Sequence, residues 1–288
     1  MKILIANVGN IRRNSIKVLA AALNKNHKVT IASMAVESSY KGQAFSYSGA
    51  PIRAKPIAYK SVLENISKAD TKPYEGIDAY EFYGTPADAV SIMLGEVMAH
   101  DRPDLVIAGI GNGVTAGQDI FCSSNVGMAM EATYFNIPAI AIAIPFDSGG
   151  NSEEDCSIAV KFLEKNLDKL VAIKLPKHTL LNIIFPDVKK YEDIKGIKIT
   201  RLGWVNPLIN QFEEKTDHKG NKYYWAKNIL RGVGSKQGTD IYEYTQGYVS
   251  ITPINYDPTD YEELEKYKEV ANRETLMQRI KKGVAEQL

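Results

Sequence analysis

The chain has 288 residues, 35 Lys+Arg against 34 Asp+Glu, and a formal charge of +1, a balance that argues against nucleic acid or an anionic membrane as partner. Hydrophobic residues make up 44%, enough for a sizeable core, and the length suits one large α/β domain or one domain with an appendage. No apolar run approaches the roughly 20 residues of a membrane span.

Residues Lys2 to Ala6 read as a strand that ends in the polar loop Asn7-Val8-Gly9-Asn10, too short an apolar start for a secretory signal. Ile16, Leu19, Ala20 and Leu23 follow at helical spacing, and Lys28 to Ala32 is a second strand. This is a strand–helix–strand unit of parallel-crossover length. Leu105 to Ala108 is a strand running into a glycine-rich loop, Val126 to Phe135 is a helix, and Ala139 to Ile144 is a strand apolar on both faces. A helix begins near Ser152 and carries Ile158, Phe162, Leu163, Leu167 and Leu170. The alternation predicts an α/β fold with a Rossmann-type doubly wound sheet over residues 1–180.

Beyond Leu180 the texture becomes β-rich as far as residue 255, with strands at Leu181 to Phe185, Ile197 to Arg201 and Tyr248 to Ile251. Residues 203–238, with Gly220-Asn221 beside Tyr223-Tyr224-Trp225, read as an extended hairpin arm. Residues 256–288 form a tail helix, with Leu264, Tyr267, Val270, Leu276, Ile280 and Val284 at helical spacing, acids early and bases late. The two cysteines, Cys122 and Cys156, make neither a disulfide framework nor a zinc site, which fits a cytoplasmic protein with reduced thiols.

Three polar loops follow three predicted strands, so the sheet can bring them together: Asn7 to Ser15, Glu37 to Gln43, and Ala108 to Asp119. The third holds Gly109, Gly111, Gly113 and Gly117, which permit close backbone approach. Ser123, Ser124 and Asn125 then stand at a helix start. They read equally as an anion seat or as ordinary N-caps. Neither a Walker A loop nor the dinucleotide fingerprint fits the glycine spacing.

These residues resemble a known family, the SurE survival-protein phosphatases that act on nucleoside monophosphates. Gly84 to Val90 is similar to the family's G-T-P-A-D-C-V, and Pro103 to Asp119 follows P-D-L-V-x-S-G-I-N-x-G-x-N-x-G-x-D. Ser123 to Glu131 resembles S-G-T-V-x-A-A-M-E, and Gly247 to Pro253 resembles G-Y-V-S-V-T-P. The resemblance implies a Rossmann-like core and an arm and tail that make a homodimer or homotetramer. It further implies a phosphomonoester or nucleotide substrate and a divalent ion, magnesium or manganese, at the strand ends.

The implied ligands are two adjacent aspartates in N-D-D-G-I, a serine in the second loop and the asparagine of S-G-I-N. In this chain Val8 and Gly9 stand at the aspartate positions and Gly111 at the asparagine; only Ser39 is retained, and Gln43 replaces a histidine. Hard divalent cations call for carboxylate oxygens, so metal-dependent hydrolysis is expected to be weak or lost. Asn10 and Asn112 each lie one residue from a missing ligand, and a slipped loop would bring in an uncharged oxygen.

Arg12, Arg13 and Lys41 add positive charge to the same loops, either as a clamp on phosphate or as solvated surface charges. The candidate binding residues are therefore Asn7, Arg12, Arg13, Ser39, Lys41, Gly109, Asn112, Gly113, Ser123, Ser124 and Asn125. Asp119 is a candidate general base, with a loop cap as the plainer reading. Cys122 reads as a packed small residue in preference to a nucleophile, and the four histidines as structural or surface groups. Three functions stay open: a SurE-like phosphatase or nucleotidase, a non-catalytic nucleotide binder, and a repurposed metal-independent enzyme.

Overall fold

The computed structural model describes residues 1–46, 49–63, 68–145, 153–204, 212–226 and 236–272. In chain order the strands and helices begin with β1 (Lys2–Asn7), α1 (Asn14–Leu23), β2 (Lys28–Met34), β3 (Arg53–Ala58), β4 (Asp78–Tyr83) and α2 (Pro86–Ile92). Next come β5 (Leu105–Asn112), α3 (Ser124–Tyr134), β6 (Ala139–Ile144), α4 (Glu153–Ala172), β7 (Thr179–Ile184) and β8 (Ile197–Ile199). The chain continues with β9 (Phe212–Thr216), β10 (Lys222–Ala226), α5 (Asp240–Thr245), β11 (Val249–Asn255) and α6 (Tyr261–Asn272).

Nine strands form one sheet in the order β3-β4-β2-β1-β5-β6-β7-β11-β8. The ladders from β4 through β7 are all parallel, and β8 pairs β11 in parallel too. The edge strand β3 is antiparallel to β4. This is the doubly wound α/β arrangement expected from the alternation. The stretch between the second loop and Gly84, where the sequence reading assigned no element, supplies the edge pair β3–β4.

Side chains alternate across the central strands. Ile3, Ile5, Leu105, Ile107, Ile140 and Ile142 face one core with Ile16 and Leu19 of α1 and Phe162 of α4. Leu4, Ala6, Val106, Ala108, Ala139 and Ala141 face the other core with Val90 of α2 and Val126, Met128 and Ala129 of α3. Strands buried on both faces have to be apolar at nearly every position, which is why β1, β5 and β6 were legible as continuous runs. The second core is built from smaller residues, so α3 packs close to the strands.

The arm is a β9–β10 antiparallel hairpin pairing Phe212–Thr216 with Lys222–Ala226. Asp217 closes its turn by accepting hydrogen bonds from the backbone N–H groups of Lys219 and Asn221 at 2.8 and 2.9 Å. Residues 205–211 and 227–235 of the expected arm lie outside the described residues. The chain divides into two compact units, Met1–Ile254 and Asn255–Leu288. In the second, α6 carries Glu262 and Glu263 in its first turn and pairs Lys266 with both. The tail positions Leu276, Ile280 and Val284 lie outside the described residues.

The motif Gly84 to Val90 opens α2 with a capping box. Asp88 N donates to Thr85 Oγ1 at 3.2 Å, and Thr85 N donates back to Asp88 Oδ2 at 2.8 Å. The other carboxylate oxygen accepts from Ser46 N at 3.1 Å. Burial disfavours the charged form of Asp88, but the hydrogen bonds from Ser46 and Thr85 outweigh it and hold the carboxyl below its ordinary value. A lowered folded-state value stabilises the protein above the unfolded-state value of about 4 and gives that stability up as pH falls through the lower one. Asp88→Asn is therefore expected to cost about 1 kcal/mol at pH 7. Urea denaturation at stepped pH should show the variant losing less stability than the wild type below about pH 4.

Candidate functional site

The strand order reverses direction between β1 and β5, with β2 and β4 on one side and β6 and β7 on the other. At such a switch point the loops leaving the carboxyl ends diverge and leave a crevice. A shallow open cleft lies there, walled by the loops after β1, β2 and β5 and by the start of α3. Its lining comprises Val8, Ser39, Tyr40, Gly111, Asn112, Gly113, Thr115, Ser123, Ser124 and Asn125.

Three sets of contacts hold these walls. Asn7 donates from Nδ2 to Gly109 O at 2.8 Å and accepts Gly9 N at Oδ1 at 2.9 Å, joining the ends of β1 and β5. Ser124 Oγ donates to Ser38 O at 2.7 Å and accepts Lys41 N at 2.9 Å, pinning the second loop to α3. Gly42 N donates to Cys122 O at 3.0 Å. A β-carbon on Gly127 would lie 2.8 Å from the Gly42 carbonyl carbon and closer still to its oxygen, so only glycine lets the loop lie on α3.

The glycine loop has an anchor from far along the chain. Asp240, fully buried at the start of α5, accepts Gly117 N at Oδ2 and both Gly203 N and Ile241 N at Oδ1, at 2.7, 2.7 and 2.8 Å. Burial pushes its carboxyl up in spite of these donors. Asp240 was not singled out in the sequence, where nothing ties a lone aspartate to a loop 123 residues earlier.

Of the candidates, the cleft gathers Ser39, Asn112, Gly113, Ser123, Ser124 and Asn125, together with Val8 and Gly111. Asn7, Arg12, Arg13, Lys41, Gly109 and Asp119 are not among its lining residues. Arg12 and Lys41 are exposed, and Asp119 lies in a short 3₁₀ turn spanning Gly117–Phe121. Ser123 is an N-cap in the structure: its Oγ accepts Val126 N at 3.3 Å. Asn10 uses its side chain inside the loop, accepting Arg12 N at 3.0 Å. Gln43 donates to buried Glu131 at 3.0 Å.

Tyr40 and Thr115 line the cleft without having been singled out. Tyr40 adopts φ +58°, a left-handed conformation that costs a residue with a β-carbon roughly 1 kcal/mol. The sequence signal for Tyr40 was available: an aromatic residue set among Ser-Ser and Lys-Gly in a strand-end loop.

The cleft tests the implied divalent ion directly. It presents hydroxyls and two amides, and no carboxylate lines it among the described residues. Val8 is buried at the first aspartate position. A β-carbon on Gly9 would lie 2.7 Å from Arg13 Cζ and overlap its Cδ and Nε, so Arg13 occupies the space beside residue 9. A β-carbon on Gly111 would overlap Asn125 Nδ2 in the same way. Arg13 in turn pairs with Glu37, which also accepts a hydrogen bond from Ser39 Oγ. A neutral oxygen set, whose neighbouring carboxylate Glu37 is already paired with Arg13, does not fit a firmly held divalent cation.

The fold and cleft define a Rossmann-type α/β protein with an open cleft at its topological switch point. Residues 3–207 match the family described as Survival protein SurE, and the chain belongs to that family. Among curated relatives, 5'-nucleotidase SurE of Thermoanaerobacter sp. (strain X514) is 34% identical over 261 residues, covering 91% of this chain and 94% of that protein. The protein of the same name from Clostridium botulinum (strain Langeland / NCTC 10281 / Type F) is 33% identical over 271 residues, covering 94% and 99%. The crystal structure of the SurE protein from Aquifex aeolicus superposes with a TM-score of 0.71 at 26% identity, covering 94% of this chain and all of that one.

Gly127→Ala should cost about 1–3 kcal/mol in chemical denaturation, because the clash is with backbone that cannot move aside. Gly95→Ala is the control. There a β-carbon would meet only the Phe135 ring at 3.6 Å, an ordinary contact, and a loss below 1 kcal/mol is expected.

Proposed function

We propose that this chain is a nucleotide phosphomonoester site of the 5'-nucleotidase type whose divalent-metal-supported hydrolysis is weak or absent. The nucleotide half of this reading is supported by the relatives, which bear the name 5'-nucleotidase SurE over nine-tenths of this chain. The metal half rests on one observation: no carboxylate lines the cleft among the described residues.

Positive charge then falls to the chain itself. Arg12 and Lys41 are exposed cations on the loops that wall the cleft, Arg13 is paired with Glu37, and Ser123, Ser124 and Asn125 place the first turn of α3 against the cleft. Arginine binds oxyanions through two parallel N–H donors and needs no metal to do so. Asp119 is kept as a general base only for a repurposed metal-independent enzyme. Its place outside the cleft lining favours a binder or a slow hydrolase over that alternative.

A homodimer or homotetramer built through the arm accounts for the exposed Phe212, Tyr224 and Trp225 on a two-stranded hairpin. A cytoplasmic setting goes with the free cysteines Cys122 and Cys156.

Two measurements test the reading. In EDTA, nucleoside monophosphate should still bind by calorimetry, and Arg12→Ala should weaken it several-fold; unchanged affinity removes the clamp. Manganese titrated into the wild type should give no tight binding. Val8→Asp with Gly9→Asp should restore it, with the flexible end of the Arg13 side chain swinging aside, and adding Arg13→Ala should strengthen it further. Micromolar manganese binding by the wild type, or robust metal-stimulated turnover of nucleotides, would restore the metal-dependent nucleotidase reading in full.

A further inference from the structure

Asp240 holds more than the glycine loop. The arm runs over residues 203–238 of the chain, and its first and last residues meet at the start of α5. Arg201 N donates to Gly238 O at 3.2 Å and Asp240 N donates to Arg201 O at 2.9 Å, so the two feet of the arm are bonded to each other. Glu243, buried in the same helix, accepts Gly238 N at 2.9 Å. Asp240 Oδ1 accepts Gly203 N at the first foot, and its Oδ2 accepts Gly117 N at the far end of the glycine loop. One carboxylate has the arm on one oxygen and the cleft wall on the other.

Apolar packing runs beside this bond. Ile241 belongs with Ala116 and Ile184 to a small buried cluster that Val114 and Tyr244 join, so α5 and the glycine loop share one seat. The first foot has no slack against it. A β-carbon on Gly203 would lie 3.0 Å from Ile241 Cδ1 and 3.2 Å from Asp240 Oδ1. A shift of Gly203 therefore displaces the two residues that seat the glycine loop, and a close-packed interior transmits such a shift. Asp240 is fully buried and its acceptor bonds are charge-assisted. If one N–H is drawn away, no water replaces it, so the carboxylate follows the foot.

We propose that Asp240 is a positioning residue that couples the arm to the cleft. The seating of the arm's feet sets, through this carboxylate, where the glycine-loop wall stands and how tightly the cleft holds its ligand. The effect on ligand rests on the nucleotide reading above, whereas the mechanical link does not. The coupling is reciprocal: a ligand that needs the loop seated tightens the feet by the same factor.

The test uses the full chain and reads the glycine loop at Gly113. This cleft residue donates its N–H to Ile144 O at 2.9 Å and not to Asp240. Amide exchange is followed residue by residue by NMR in the wild type, Asp240→Asn, Gly203→Ala and the double variant. In Asp240→Asn an amide nitrogen replaces one oxygen and sets a donor against a donor, so an N–H group loses its acceptor. Gly203→Ala leaves the carboxylate in place and crowds it, and it decides the matter alone if Asp240→Asn does not fold. Each single variant should speed exchange at Gly113 about tenfold while the amides of β1 and β2 stay within about twofold, since local opening is separable from global unfolding. The double variant should be no faster at Gly113 than the faster single variant, because both changes break one link. A purely structural role would speed β1 and β2 by the same factor as Gly113. That result overturns the proposal, as does an unchanged Gly113 in Gly203→Ala or increments that multiply in the double variant. Calorimetry with adenosine monophosphate in EDTA reads the cleft, and both single variants should bind several-fold more weakly than the wild type. Wild-type affinity in variants whose Gly113 is loosened overturns the coupling to ligand. No binding by the wild type removes the nucleotide reading, and the exchange result then decides the coupling by itself.

Discussion

Two neighbouring parallel strands whose following helices leave for opposite faces of the sheet cannot close the gap between their carboxyl ends. In this chain the strands are β1 and β5. The helix after β1 packs in the core of Ile3 and Ile5, and the helix after β5 packs in the core of Leu4 and Val106. Every wall of the cleft follows from that divergence. The register Ile3↔Leu105 through Ala6↔Ala108 fixes how far each loop stands from the other, and Asn7 ties the two ends together across it.

The site built on this crevice is polar without being acidic. Two carboxylates lie close behind the wall, and each is already engaged: Glu37 with Arg13 and Ser39, and Asp240 with three backbone N–H groups. A carboxylate used in this way sets loop geometry and has little charge left to offer a cation. The guanidinium beside Gly9 is occupied by Glu37 in the same way, so the pair adds little net charge to the cleft. Scaffold and chemistry are therefore separable here. The family's glycine loop and helix start are in place, and the lining of the cleft among the described residues is neutral.

Close packing accounts for how the two remain compatible. Gly9 admits Arg13, Gly111 admits Asn125, and Gly127 admits the carbonyl of Gly42. In each pair the absence of a β-carbon on one residue makes room for an atom of another. Arg13 is four residues on from Gly9, within the same loop-to-helix passage. Asn125 and Gly42 come from elements distant in sequence, so their loops are fixed by the fold as a whole.

Periodicity alone determined the strand–helix alternation, because β1, β5 and β6 are buried on both faces and must be apolar throughout. Motif order alone pointed to the family, and the substitutions at Val8, Gly9 and Gly111 were visible as plain letters. The edge strand β3, exposed and containing Pro56, gave no such signal, since a strand covered on neither face has no pattern to keep. Which polar residues share the cleft was decided only by the tertiary structure. Tyr40 enters it and Asp119 does not, Arg13 turns to Glu37, and Asp240 crosses from α5 to hold the glycine loop. Local sequence sets which backbone conformations are cheap; where a side chain ends up depends on what distant segments leave unfilled.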